Sequence, residues 1–182
     1  MPWQSKGLRS IGDTKQQQWQ ATIRQISENG IWPVVTDASP CAKNSQLVDG
    51  IEVLDSIDFA NKYLLERLRI TPIDEPVWLH VTCSSQHLDG GKAMLQLAKT
   101  LGSEVHTTAV SCCGFGGDKG FTHPQLNQHA LRHVRAIKPN SCERGYANSH
   151  TCEIGLQQHS GVPFTSLLLL LDECSKAVGS EG

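Results

Sequence analysis

The stretch Glu104–Gly117, EVHTTAVSCCGFGG, decides the fold. Its first half, Glu104 to Val110, is β-branched and predicts a buried strand. The strand breaks at Ser111-Cys112-Cys113 into a glycine run. A helix then follows from about Pro124 to Ile137, with Leu126, Ala130, Leu131 and Val134 on one face. The same order recurs upstream. Val77 to Val81 (VWLHV) reads as a strand leading into Cys83, and Gly90-Gly91 opens a helix whose Met94, Leu97, Ala98 and Leu101 face one way before Gly102 stops it.

Downstream, Tyr146 to His150 is a weak strand ending at Cys152, where a helix to His159 begins. Pro163 to Thr165 and a helix from Ser166 to Lys176 close the chain. Near the start, a helix is predicted over Lys15–Asn29, with Trp19, Ile23 and Ile26 sharing a face. Strands follow at Ile31–Asp37 and Ile51–Leu54, then a helix over Ile57–Arg69 capped by Asp55 or Ser56. Strands alternating with helices predict an α/β fold, a mostly parallel sheet with helices on both faces. The expected organisation is a single domain over residues 1–182, with about 1–14 and 177–182 flexible.

Composition narrows the function classes. With 38% hydrophobic and 19% charged residues, the 182-residue chain can bury a core and is not of the disordered class. Sixteen Lys plus Arg against eighteen Asp plus Glu give a net charge of -2, which excludes a broadly basic nucleic-acid binder. The longest apolar run, Leu167–Leu171, is far short of a membrane span. Met1 to Gln20 is polar and does not read as a secretory leader. A soluble, cytoplasmic protein is expected.

Seven cysteines then need a reason. An odd number without a leader does not suit a disulfide framework, because the cytosol keeps thiols reduced. Cys41, Cys83, Cys112, Cys113 and Cys152 each fall just after a predicted strand, so the fold would gather them at the carboxyl edge of the sheet. Cys142 and Cys174 read as free or buried thiols. Short C-x₂₋₄-C zinc knuckles and the redox pair C-x-x-C are both missing. Adjacent Cys112-Cys113 suits a polynuclear iron–sulfur cluster better, since each sulfur can reach a different iron. Gly114, Gly116 and Gly117 would let backbone N–H groups point at such a cluster; the G-x-G-x-x-G register of a dinucleotide turn is not kept, because Lys119 holds its last place. No histidine is read as a primary ligand, and His80 and His150 are hydrogen-bonded neighbours of the cysteine positions.

Ser111-Cys112-Cys113-Gly114-Phe115-Gly116-Gly117 resembles the cysteine-rich CCG domain found in heterodisulfide reductases and in the iron–sulfur subunits of glycolate- and glycerol-3-phosphate-oxidising enzymes. The blocks TDASPCAKN, HVTCSS, VSCCGFGGDKGFTHPQLN and HTCEIGLQQHSGVPF are similar to the C-terminal portion of bacterial FAD- and iron–sulfur-containing D-lactate dehydrogenases. This resemblance spans roughly Trp32 to Cys174. It implies a 4Fe-4S or non-cubane cluster on Cys83, Cys112, Cys113 and Cys152, with Cys41 as a further ligand. CCG domains usually close with C-x-x-C, whereas here Gly155 stands three places after Cys152.

The resemblance also implies an electron-transfer module. Its FAD would belong to a missing upstream domain or partner, a ferredoxin-like iron–sulfur segment would lie between them, and any membrane association would be peripheral, through the complex. Such a chain would not oxidise D-lactate alone. Two alternatives stay open: a metal-free docking module, and a thiol-disulfide reductase component using Cys112 or Cys113.

Overall fold

The computed structural model describes residues 7–37 and 48–178. They fall into two compact units, one up to Phe59 and one from Ala60 onward.

In the first unit, helix α1 (Arg9–Ile26) begins before the expected Lys15, within the segment read as flexible. Its start is polar and Gln-rich, so helical propensity rather than an apolar stripe sustains it there. The chain leaves α1 through Glu28, Asn29 and Gly30, all at positive φ. Strands β1 (Val34–Thr36) and β2 (Val53–Asp55) pair in parallel. Ile23, Val34, Val48, Ile51 and Val53 form the unit's core, with Trp19 against it. Asp55 caps the short helix α2 (Ser56–Phe59), its Oδ1 accepting from the N–H groups of Ile57 and Asp58 at 2.9 Å each.

The second unit departs from the expected long helix over Ile57–Arg69. After a π-helical turn (Ala60–Leu64) and a 3₁₀ turn (Leu65–Arg67), Leu68–Ile70 becomes strand β3. It pairs antiparallel with β8 (Ser175–Ala177), a partner too distant in sequence for periodicity to reveal.

The main sheet contains β4 (Val77–Leu79), β5 (Val105–Thr107), β6 (Gly145–Ala147) and β7 (Phe164–Ser166) in the order β5-β4-β6-β7. Every pairing is parallel. Between the strands run α3 (Cys83–Asp89), α4 (Lys92–Leu101), α5 (Lys119–Thr122), α6 (Pro124–Ala130) and α7 (His150–Ser160), and α8 (Leu167–Cys174) follows β7. The molecule is a mixed α/β fold with a parallel sheet flanked by helices, as the strand–helix alternation predicts.

Helix α4 buries the expected face, Met94, Leu97, Ala98 and Leu101, and packs with α8, which buries Leu167, Leu170, Leu171 and Cys174. A second core gathers Trp78, Leu131, Val134, Leu156 and Phe164 with Cys113, Cys142 and Cys152. Within it the Trp78 and Phe164 rings lie 5.2 Å apart. Among the described residues no helix is long and apolar enough to cross a membrane.

Candidate functional site

The strand order places a crevice. From β4 the chain winds outward to β5, and from β6 it winds the opposite way to β7. The carboxyl ends of the neighbours β4 and β6 therefore open onto a topological switch point, where the flanking connections part. Cys83 opens α3 just after β4, and Cys152 lies in the first turn of α7 just after β6. The segment after β5 brings Cys112 and Cys113. Strand alternation thus assembles cysteines from three separate segments at one edge.

Polar side chains clamp the two strand ends together. The Thr82 hydroxyl donates to Asn148 Oδ1 at 2.8 Å, and Asn148 Nδ2 donates to Ser85 Oγ at 3.1 Å. All three residues are buried. Neither Thr82 nor Asn148 stands out in the sequence, since a clamp between segments so far apart leaves no local pattern.

The sulfurs divide into a buried pair and an exposed pair. Cys113 Sγ and Cys152 Sγ are 2.8 Å apart, within thiol–thiolate hydrogen-bonding distance. The Cys113 thiol is held below the usual thiol range, chiefly because the Cys152 thiol can donate to it, with the Phe115 N–H adding to the effect. The same bond, with burial, holds Cys152 well above the usual thiol range. Cys112 accepts the N–H of Gly114 at 3.3 Å. The Cys83 thiol is raised by burial, and then by the neighbouring Cys112 and Cys113 sulfurs.

Glycine geometry explains the loop. Gly114, Gly116 and Gly117 have φ of 74°, 54° and 75°, the left-handed region that glycine enters without penalty. At Gly114 there is also no room for a side chain, since a Cβ would come within 2.5 Å of the Leu126 carbonyl oxygen. A Cβ at Gly117 would meet nothing, so that glycine serves conformation alone. The loop is held from behind by Asn127, which is buried and donates through Nδ2 to the Cys113 carbonyl at 2.5 Å.

Gly155 has a packing role. On α7, a Cβ at Gly155 would collide with Asn127 Nδ2 and press closely, at 3.1 Å, on the Phe115 ring. The position where C-x-x-C would place a closing cysteine is the point at which α7 touches the segment supporting the Cys112-Cys113 loop. Contact with Asn127, set by the tertiary fold, accounts for glycine there.

Cys142 and Cys174 stand apart from this crevice. Their thiols point to the carbonyls of Pro76, at 3.7 Å, and Leu101, at 3.6 Å. Burial raises both. Cys41 lies outside the described residues. His80 is fully buried on β4's carboxyl side, its Nδ1 2.9 Å from Thr108 Oγ1 and its Nε2 without a hydrogen-bond partner among the described residues. His150 pairs with Glu153 at 3.3 Å.

Among the described residues, no group of three or more His, Cys, Asp or Glu side chains is spaced to hold a single metal ion. The donor chemistry still fits a polynuclear sulfur-bound group. The donors are soft thiols, two are already adjacent, and backbone N–H groups face Cys112 and Cys113.

Residues 77–157, from β4 into α7, match the family model of the CCG cysteine-rich domain. The matched segment contains Cys83, Cys112, Cys113 and Cys152 and stops short of Cys174. No curated protein and no solved structure matches the chain.

Proposed function

We propose that the cysteine crevice holds an iron–sulfur cluster and serves as an electron-transfer module of an oxidoreductase, in company with an FAD-bearing 2-hydroxy-acid dehydrogenase component of the D-lactate type. One observation carries the reading. Cysteines from three segments lie at the carboxyl ends of a parallel sheet, inside the segment that matches the CCG family model, with Cys113 and Cys152 in contact and Cys83 near enough to Cys112 and Cys113 to be raised by them.

A bound cluster supplies one-electron chemistry. The chain's own residues do the rest. Cys83, Cys112, Cys113 and Cys152 offer the thiolates, and Cys41 is the proposed further ligand. The N–H groups of Gly114 and Phe115 stabilise negative charge on sulfur. Trp78, Phe115 and Leu156 keep the inner side dry, which strengthens those N–H contacts. The FAD, and a ferredoxin-like segment between it and this crevice, belong to the proposed partner. A peripheral membrane contact through that assembly completes the proposal.

Anaerobic reconstitution with iron and sulfide tests it. The expected result is visible absorbance and about four irons per chain for a cubane-type cluster. Cys112→Ser, Cys113→Ser or Cys152→Ser should lower iron and bleach the colour, whereas Cys142→Ser and Cys174→Ser should leave both intact. Loss of iron in Cys41→Ser would support its place as a ligand. Full retention in the Cys112, Cys113 and Cys152 variants alike would defeat the assignment.

The close Cys113–Cys152 pair favours one second reading, a thiol-disulfide component. A Cys113 thiolate attacks a substrate disulfide, releasing one thiol. Cys152 then attacks the mixed disulfide and releases the second, leaving a Cys113–Cys152 disulfide as the two-electron product. This reading requires that reduced, iron-free protein release two thiols from one equivalent of a small disulfide, and that Cys152→Ser release only one and stop at the mixed disulfide on Cys113.

A further inference from the structure

A cleft of about 510 Å³ lies beside the cysteine crevice, at the carboxyl end of β4 and the edge strand β5. Val81, Gln86, Thr107, Thr108, Ala109 and Ser111 are among the residues that line it. Its size falls in the range of small-molecule sites. Among the described residues, no charged side chain is part of its wall. The cleft is open on one side, with Gln86, Thr107, Ala109 and Ser111 exposed, and its wall offers hydroxyl, amide and apolar groups but no counter-charge for a charged ligand.

Two features mark this wall as more than a surface dent. Ala109 has φ of 49°, a left-handed conformation that costs a non-glycine residue energy and persists only where the surroundings enforce it. The surroundings include Thr108, which is buried and tied to His80 Nδ1 at 2.9 Å. The same segment runs through Ser111 directly into Cys112, so the wall ends one peptide step, about 3.8 Å between Cα atoms, from a cysteine of the crevice.

We propose that this cleft binds an uncharged small molecule of one- or two-ring size beside Cys112. Val81, Ala109 and Val110 contact its apolar body, while the Thr107 and Ser111 hydroxyls and the Gln86 Oε1, whose amide is positioned by its Nε2 donating to the Val81 carbonyl at 2.8 Å, meet its polar end. The site stands on the protein lining and does not depend on iron.

The test uses the full chain, both metal-stripped and iron-reconstituted, with two probes that share a ring system: neutral 2-naphthol and anionic naphthalene-2-sulfonate. Saturation-transfer NMR should detect 2-naphthol and not the sulfonate. Amide shifts on the metal-stripped protein should map to Val81 and Thr107–Ser111. Thr107→Trp and Ser111→Trp, which fill the cleft from its exposed side, should each weaken 2-naphthol by about tenfold or more. Thermal melts report whether each variant is folded, and the shift map decides the matter if neither is. Absent 2-naphthol binding, equal binding of the sulfonate, shifts centred elsewhere, or undiminished binding in a folded Trp variant would overturn the site. Iron loading reads the cysteine crevice separately, so failure of one proposal is distinguishable from failure of the other.

Discussion

His80 shows how burial makes a pH-sensitive residue. Its ring is fully enclosed, and desolvation lowers its pKa from 6.5 to about 4. The unfolded chain therefore binds the His80 proton more readily than the folded one between those values. Stability from this residue is complete above pH 6.5 and is lost as pH falls toward about 4. The expected loss is about 3 kcal/mol. Urea unfolding at pH 7 and pH 4 should show it in the wild type and show a smaller change in His80→Gln; equal pH dependence in the two proteins would refute it. At the same scale, the cysteines differ in exposure and partners although they share a chemistry. Iodoacetamide should reach exposed Cys83 and Cys112 at least tenfold faster than buried Cys142 and Cys174 in the folded, metal-free chain, as peptide mass mapping can check.

At the scale of elements, the contact between α7 and the segment behind the Cys112-Cys113 loop governs what the helix can carry. Gly155→Cys would restore a C-x-x-C spacing, yet its side chain would enter the space held by Asn127 and Phe115. The expected outcome is a loss of about 1–3 kcal/mol, read as a lower Tm, with no gain in iron bound. Asn127→Ala beside it should recover part of the packing loss, although the Cys113 carbonyl then loses its donor. A variant as stable as wild type with extra iron would show that the helix can accept a further ligand there. Periodicity located α4 and its buried face, because an amphipathic stripe is a local signal. It did not locate α3, whose CSSQHLD carries almost no apolar spacing. It also made one helix of Ile57–Arg69, because the pairing of Leu68–Ile70 with Ser175–Ala177 is invisible in a local window.

For the whole molecule, the proposed role separates substrate oxidation from electron relay. Purified chain mixed with D-lactate and a redox dye should give no turnover above a heat-treated control, with or without reconstituted iron. Turnover with tightly bound flavin would overturn the view that FAD resides on another component. The order β5-β4-β6-β7 puts the crevice between strands that are neighbours in the sheet and distant in the chain. Mutations in the Thr82–Asn148 clamp are therefore expected to act on both strand ends together.

By itself, the sequence determined the alternation of strands and helices, the parallel α/β class, and the recurrence of cysteines just after apolar β runs. These are local properties: side-chain branching, helical spacing and turn-forming glycines act within a few residues. Only the tertiary structure decided that Cys113 and Cys152 form a buried pair while Cys83 and Cys112 stay exposed. It alone decided that Gly155 answers to Asn127, and that a neutral cleft opens beside Cys112. The physical reason is common to all three. Exposure, steric room and hydrogen-bond partners are set by segments that meet across the sheet, and no local window of sequence contains both sides of such a contact.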